Sequence, residues 1–174
     1  MISRLKKHEF DENILYNSIL SLSRNKLFYL KLDLDDTFQN RVYLIFLHIS
    51  FLFIKLKSGY KNKAYEEFYQ RVFNKIFYKI EMNMREIGYG DMSVNKNMKF
   101  LTKSFYSILL NCENFNKKKF EQKNLFLFKH LTSRNRRKNA INADLVNYFD
   151  KYRIFCIDLS FEKVLKGDLN FKYK

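Results

Sequence analysis

Apolar residues recur every three or four positions along most of the chain, which predicts a series of amphipathic helices. The clearest stripe consists of Tyr65, Phe68, Val72, Ile76, Ile80, Met84 and Ile87. Gly88 follows it where a glycine would end a helix. A second stripe consists of Val94, Met98, Leu101, Phe105, Ile108 and Cys112, with Lys96, Lys99 and Lys103 on the other side. These two segments predict a pair of long helices joined by a short corner.

Weaker periodicity predicts further helices at about residues 11–23, 117–131 and 141–156. Another helix begins after a cap at Asp36 or Thr37 and runs to about Leu56. Ser160 can cap a short last helix that ends at Gly167. The fold class is therefore all-α, a single-domain bundle of roughly six helices packed antiparallel. We expect tails at 1–9 and 171–174 around a helical domain of residues 10–170.

The composition agrees with long helices, and the length of the most apolar run favours a buried helix over a membrane-spanning one. The 174 residues include only 4 glycines and no proline, and 47% are hydrophobic, which is enough for a core. The apolar run 42–54 is shorter than the roughly 20 residues that a membrane helix needs, so we expect it to be buried by neighbouring helices. Its His48 is expected to be a hydrogen-bonded core histidine. The N-terminus lacks the apolar stretch of a secretory signal. We therefore expect a cytoplasmic protein, either free or peripheral on the cytoplasmic face of the inner membrane.

The sequence assembles no recognisable catalytic or metal-binding motif. Cys112 and Cys156 form no CxxC pair, the three histidines have no HExxH spacing, and neither a glycine-rich phosphate loop nor a GxSxG elbow is present. Cys112 lies on an apolar stripe, which is typical of a small core residue. We therefore predict no enzyme activity, cofactor or metal.

The formal charge of +15 has two interpretations. Lys, Asn, Ile, Phe and Tyr are all abundant, so the charge either follows AT-rich codon usage or serves an anionic partner such as RNA, lipid headgroups or an acidic protein. The most basic segment contains Arg134, Arg136, Arg137 and Lys138. It is either a solvated linker or an electrostatic docking site for a ribosome or an anionic membrane.

Two sequence blocks carry a resemblance to a known family. The segment 85–96, REIGYGDMSVNK, closely resembles the central R-E-x-G-x-G-D-x-S-V-x-K block of the ubiquinol–cytochrome c chaperone family. The segment Asp36-Thr37-Phe38, followed by Arg41 and the pair Leu47-His48, resembles a second block of the family. The segment Gly167 to Phe171 resembles a third block. The chain departs from the family at Asp35 and Lys172, where the family has proline. The positions carried over are Asp36, Phe38, Arg41, His48, Arg85, Glu86, Gly88, Gly90, Asp91, Ser93 and Lys96.

The resemblance implies an all-helical, non-enzymatic assembly factor for the cytochrome bc1 (ubiquinol–cytochrome c reductase) complex. Mitochondrial members bind newly made cytochrome b, together with a small partner protein, near the ribosome at the inner membrane. The absent presequence and the skewed composition indicate a bacterial-type member. Its expected partner is cytochrome b or another bc1 subunit. The alternative from a different class is a basic RNA- or ribosome-binding helical module.

The residues of the first block also have a local interpretation. Gly88 and Gly90 flank one tyrosine, which predicts a tight corner with φ > 0 at Gly88 and a cap at Asp91 or Ser93. Arg85, Glu86 and Lys96 form either a polar network or a partner surface. A pairing of Asp36 or Asp91 with Arg41 or Arg85 is compatible with both. A client groove would need exposed aromatic residues, whereas Phe46, Phe51, Phe53, Phe126 and Phe128 fill the core of a thick bundle equally well.

Overall fold

The computed structural model describes residues 11–59, 63–132 and 142–173. Its helices are α1 (Glu12–Ser23), α2 (Leu27–Leu30), α3 (Phe38–Lys57), α4 (Lys63–Glu86), α5 (Asp91–Glu113), α6 (Phe120–His130), α7 (Ala143–Asp158) and α8 (Phe161–Leu165), with a 3-10 turn at Phe115–Lys117. Six of them have 11 or more residues, and these ranges contain no β-strand. The all-α prediction is confirmed.

Helix α3 is the central element. It contacts α1, α4, α5, α7 and α8, so the apolar run 42–54 is buried on nearly every side, as predicted. Because the neighbours cover it, its aromatic residues fill the core: Phe46, Phe51 and Phe53 are almost fully buried, as is Phe126 of α6, while Phe128 is partly buried. Among the helices of the described ranges, none combines the length and the apolar character that crossing a bilayer requires.

Helices α4 and α5 form an antiparallel hairpin whose stripes face α3 and α1. Phe68 to Met84 on α4 and Val94 to Cys112 on α5 supply the buried positions, so Cys112 is a core residue as predicted. Ile87 is the exception, since its side chain is 59% exposed beyond the end of α4. The predicted stripe therefore ends at Met84, and Ile87 is available to a surface site.

The C-terminal segment returns to α1 and α7. Ser160 caps α8 by accepting a hydrogen bond from the Lys163 N–H. Gly167 has φ +67°, and a Cβ there would lie 2.8 Å from the Leu15 backbone nitrogen, so both conformation and space require glycine. Beyond it, the Phe171 ring lies 5.5 Å from the ring of Tyr148. This ring contact packs the C-terminal segment against α7.

Two short elements and one boundary differ from the prediction. Helix α2 has 4 residues and the 3-10 turn has 3, which is too short for a periodic signal. Helix α6 begins at Phe120 rather than Lys117, because the 3-10 turn occupies the preceding residues.

Candidate functional site

The second block positions the start of α3. The Thr37 side chain accepts a hydrogen bond from the Asn40 N–H and is the N-cap. Asp36 lies just before it and binds Arg41 through two hydrogen bonds, Nε to Oδ1 at 2.7 Å and Nη2 to Oδ2 at 2.8 Å. The hydrogen bond to Asp36 raises the pKa of Arg41. The predicted pairing is thus present, and it holds the Arg41 guanidinium at a fixed place on the surface.

Asn40 anchors this end of α3 from inside. Its side chain is fully buried and donates to the carbonyls of Asp35 and Thr132, both at 2.8 Å, while its Oδ1 accepts from the Thr132 N–H. The turn before α3 is therefore tied to the end of α6. No sequence pattern indicated a buried Asn40, since an asparagine in a helix is usually a surface residue.

The first block forms the corner between α4 and α5. Gly88 has φ +95°, its N–H donates to the Arg85 carbonyl, and the Tyr89 N–H donates to the Met84 carbonyl. This is the Schellman arrangement, which satisfies the last carbonyls of α4. The predicted glycine stop is confirmed.

The predicted cap of α5 is wrong. Gly90 is the N-cap, with no side-chain cap hydrogen bond, and Asp91 is already the first helical residue. Four residues, Ile87 to Gly90, separate the helices, and α5 begins one residue earlier than a cap at Asp91 would place it. Gly90 has φ −71° and nothing lies within 4 Å of a Cβ placed there. Neither strain nor crowding explains this glycine.

Arg85 bridges the two helices of the corner. Its guanidinium donates to Glu81 Oε1 at 2.9 Å and also to the Asp91 carboxylate. These hydrogen bonds raise the pKa of Arg85, with Asp91 as the larger cause. Of the two interpretations of Arg85, the structure shows the polar network. Ser93 and Lys96 are exposed on the far side of the corner.

The two blocks meet across a groove that we call the motif groove. It is a cavity of about 200 Å³ between α1, α3 and α4. Phe38 and Arg41 line it from the second block, and Glu86 and Ile87 line it from the first. The remaining lining residues are Tyr16, Leu20, Ser23, Arg24, Val42, Ile45, Ile80 and Asn83. Its floor is apolar, and its rim carries two arginines and one glutamate.

A second cavity, which we call the basic trough, adjoins the motif groove along α1 and α4. It shares Tyr16, Leu20, Arg24 and Asn83 with the groove, and Asn13, Asn17, Lys75 and Lys79 complete it. The cationic end of the combined surface thus lies against α1. Sequence reasoning missed this helix as a site element, although Tyr16, Leu20 and Arg24 repeat at intervals of four and so share one helix face.

His48 lies in the core and not in the groove. Its Nδ1–H donates to the Leu44 carbonyl at 2.6 Å, so Nε2 accepts from the Tyr148 hydroxyl at 2.8 Å. Burial lowers the pKa of His48 to about 4, which keeps the ring neutral at physiological pH. The expected core histidine is confirmed.

The remaining candidates are the basic residues and the possible metal ligands. Arg134, Arg136, Arg137 and Lys138 lie outside the described residues. Two cations near the end of α3 take part in intramolecular contacts, since Lys55 donates to the Ile157 carbonyl and Lys57 pairs with Glu113. Across the described ranges, no group of three His, Cys, Asp or Glu side chains could hold a metal ion.

The bundle and its grooved surface define an all-helical, single-domain protein. The crystal structure of the Cbp3 homolog from Brucella abortus is similar to it, with a TM-score of 0.76 and 22% sequence identity over 93% of this chain and 88% of that one. A search of curated protein sequences found no match. The sequence profile of the ubiquinol–cytochrome c chaperone family matches residues 30–171.

The chain belongs to the ubiquinol–cytochrome c chaperone family, and its role is that of an assembly chaperone for the cytochrome bc1 complex. The match begins at residue 30, so the whole α3 and α4 side of the motif groove falls within it, whereas α1 does not.

Proposed function

We propose that this protein is a non-enzymatic chaperone that holds newly made cytochrome b, or another bc1 subunit, in the motif groove. The observation that carries the proposal is the meeting of the two family blocks there. Phe38 and Arg41 face Glu86 and Ile87 across one cavity, although about fifty residues separate the blocks. Glu86 and Ile87 are both exposed at this place, so a bound client could reach them.

The groove has the chemistry of a helix-binding site. A chaperone that acts without ATP needs an apolar surface to cover client side chains and polar groups at the rim to orient them. Leu20, Phe38 and Ile80 supply the apolar lining, and Arg24 and Arg41 supply rim cations. An apolar client helix with acidic residues at one end would place its acidic end in the basic trough.

The family-block residues then divide by role. Phe38, Arg41 and Glu86 contact the client, while Asp36 positions Arg41 through the paired hydrogen bonds. Arg85, Gly88 and Asp91 hold the corner that presents Ile87. The chaperone acts in the cytoplasm, at the face of the inner membrane where its client is inserted, and the domain that acts spans residues 10–170.

Recovery of cytochrome b from solubilised membranes tests the proposal. Ile87→Asp should abolish recovery, because a carboxylate in an apolar contact loses its hydration without a partner. Ile154→Asp is the matched control, since Ile154 is 50% exposed on α7 and Ile87 is 59% exposed. Both variants should keep the wild-type circular dichroism spectrum.

Three outcomes would contradict the proposal. The first is that Ile87→Asp recovers as much cytochrome b as wild type does. The second is that the control Ile154→Asp loses as much recovery as Ile87→Asp does. Recovery of ribosomal RNA without cytochrome b would favour the RNA-binding alternative instead.

A further inference from the structure

Helix α5 has two apolar faces, and only one of them is buried in the bundle. The inner face, including Val94, Leu101, Phe105 and Ile108, is buried against α3 and α4. On the outer face Met92 is 88% exposed, Leu110 62%, Phe100 54% and Tyr106 49%. With about 100° between successive residues, Met92 and Leu110 lie opposite the buried positions, and Phe100 and Tyr106 lie on the two edges of the outer face. A surface helix normally presents polar residues there.

Lysines lie between the exposed apolar residues. Lys96, Lys99 and Lys103 share the outer face and are all exposed. No acidic residue occurs between Asp91 and Glu113, and none of the three lysines forms an ion pair with another described residue. The resulting stripe from Met92 to Leu110 is about 27 Å long at 1.5 Å per residue. We call it the α5 stripe.

We propose that the α5 stripe docks the protein on an anionic lipid bilayer, with α5 parallel to the membrane plane. Apolar side chains at both ends enter the headgroup–acyl boundary, and the lysines extend to lipid phosphates. The stripe is one face of a single helix and lines neither the motif groove nor the basic trough, so it offers a flat docking surface rather than a cleft for a partner helix. RNA could stack on Phe100 and Tyr106 but has no use for Met92 or Leu110. The inference does not depend on client binding in the motif groove.

Tryptophan reporters test which face meets the bilayer. The sequence contains no tryptophan, so a single substitution gives an unambiguous signal. Met92→Trp and Leu110→Trp should shift their emission to the blue on vesicles of phosphatidylglycerol mixed with phosphatidylcholine, and brominated lipid should quench them. Leu125→Trp on α6, where Leu125 is 73% exposed, is the control and should not respond. A response at position 125 without one at 92 and 110 would overturn the proposal.

Vesicle sedimentation tests the lysines. Replacing Lys96, Lys99 and Lys103 by Ser should weaken binding to the mixed vesicles on the order of 100-fold, since each cation near an anionic surface contributes about 1 kcal/mol. The control replaces Lys26, Lys31 and Lys129, which are exposed elsewhere, and removes the same charge. Wild type should not bind phosphatidylcholine alone.

The sedimentation arm has its own contrary results. Equal losses in the two triple variants would show that net charge, and not the stripe, drives binding. The proposal would also be overturned if wild type did not bind the mixed vesicles. It would equally be overturned if replacing Lys96, Lys99 and Lys103 by Ser weakened RNA binding and left vesicle binding unchanged. All substituted positions are exposed, so thermal melts should coincide with wild type.

Discussion

At the scale of single residues, burial decides the chemistry of His48. Its ring is fully buried, and both nitrogens have hydrogen-bond partners that suit the neutral form. Burial lowers its pKa to about 4, against about 6.5 in an unfolded chain. The unfolded state therefore binds more protons between these two pH values. Stability from neutral His48 is present above pH 6.5 and falls as pH decreases toward 4.

We predict that His48→Gln flattens the acid side of the stability profile. Between pH 7 and pH 5, the free energy of unfolding of wild type should fall by about 2 kcal/mol more than that of the variant. Urea denaturation at a series of pH values measures the difference. Burial also lowers the pKa of His130 to about 4, so His130→Gln checks that each histidine contributes separately. Parallel profiles of wild type and His48→Gln would show that His48 does not titrate this way.

At the scale of elements, the α4–α5 corner depends on one glycine more than on the other. Gly88 has a positive φ, whereas Gly90 has an ordinary φ and open space around it. Gly88→Val should therefore cost about 1–3 kcal/mol. Gly90→Ser should be neutral or slightly stabilising, because serine is a better N-cap than glycine. Thermal melts of both variants test this, and an equal loss at the two positions would contradict the assignment.

Arg85 holds the same corner through exposed ion pairs, which add little to stability in water. Arg85→Ala should therefore lower the melting temperature less than Gly88→Val does. If Arg85 only supports the corner, cytochrome b recovery should fall no further than the melting temperature predicts. If Arg85→Ala had a melting temperature as low as that of Gly88→Val, Arg85 would be a principal support of the fold.

At the scale of the whole molecule, the charge of +15 gives a long-range attraction to anionic surfaces. We predict that the segment with Arg134, Arg136, Arg137 and Lys138 adds to this attraction. Replacing the four cations by Ser should weaken sedimentation with anionic vesicles or ribosomes at low salt. The loss should shrink at higher salt, because the Debye length is only about 8–10 Å at moderate ionic strength.

The role of this segment is distinguished from that of the α5 stripe by comparing this variant with the one that lacks Lys96, Lys99 and Lys103. Loss of ribosome binding alone in the segment variant would assign that segment to RNA, and loss of vesicle binding alone would assign it to the membrane. Sedimentation equal to wild type at low salt would show that the segment is a linker.

Much of the fold follows from local patterns. Apolar spacing gave the long helices, and Gly88 and Ser160 gave ends that the structure confirms. Such features depend on neighbours within one or two turns, so the sequence contains them. The cap of α5 was mispredicted because the preference of Asp and Ser for the N-cap position is only a local tendency, and here Gly90 occupies that position without a side-chain cap hydrogen bond.

The sequence by itself determined the helical class, the core face of each long helix, the family blocks and the absence of familiar catalytic motifs. Only the tertiary structure decided that Phe38 and Arg41 lie across a groove from Glu86 and Ile87, with α1 as the third wall. It also showed that Asn40 is buried and that α5 has an exposed apolar face. These facts depend on which helix surfaces pack together. Periodicity marks a residue as apolar or polar, but contact between distant segments is set by the sum of many packing interactions across the bundle.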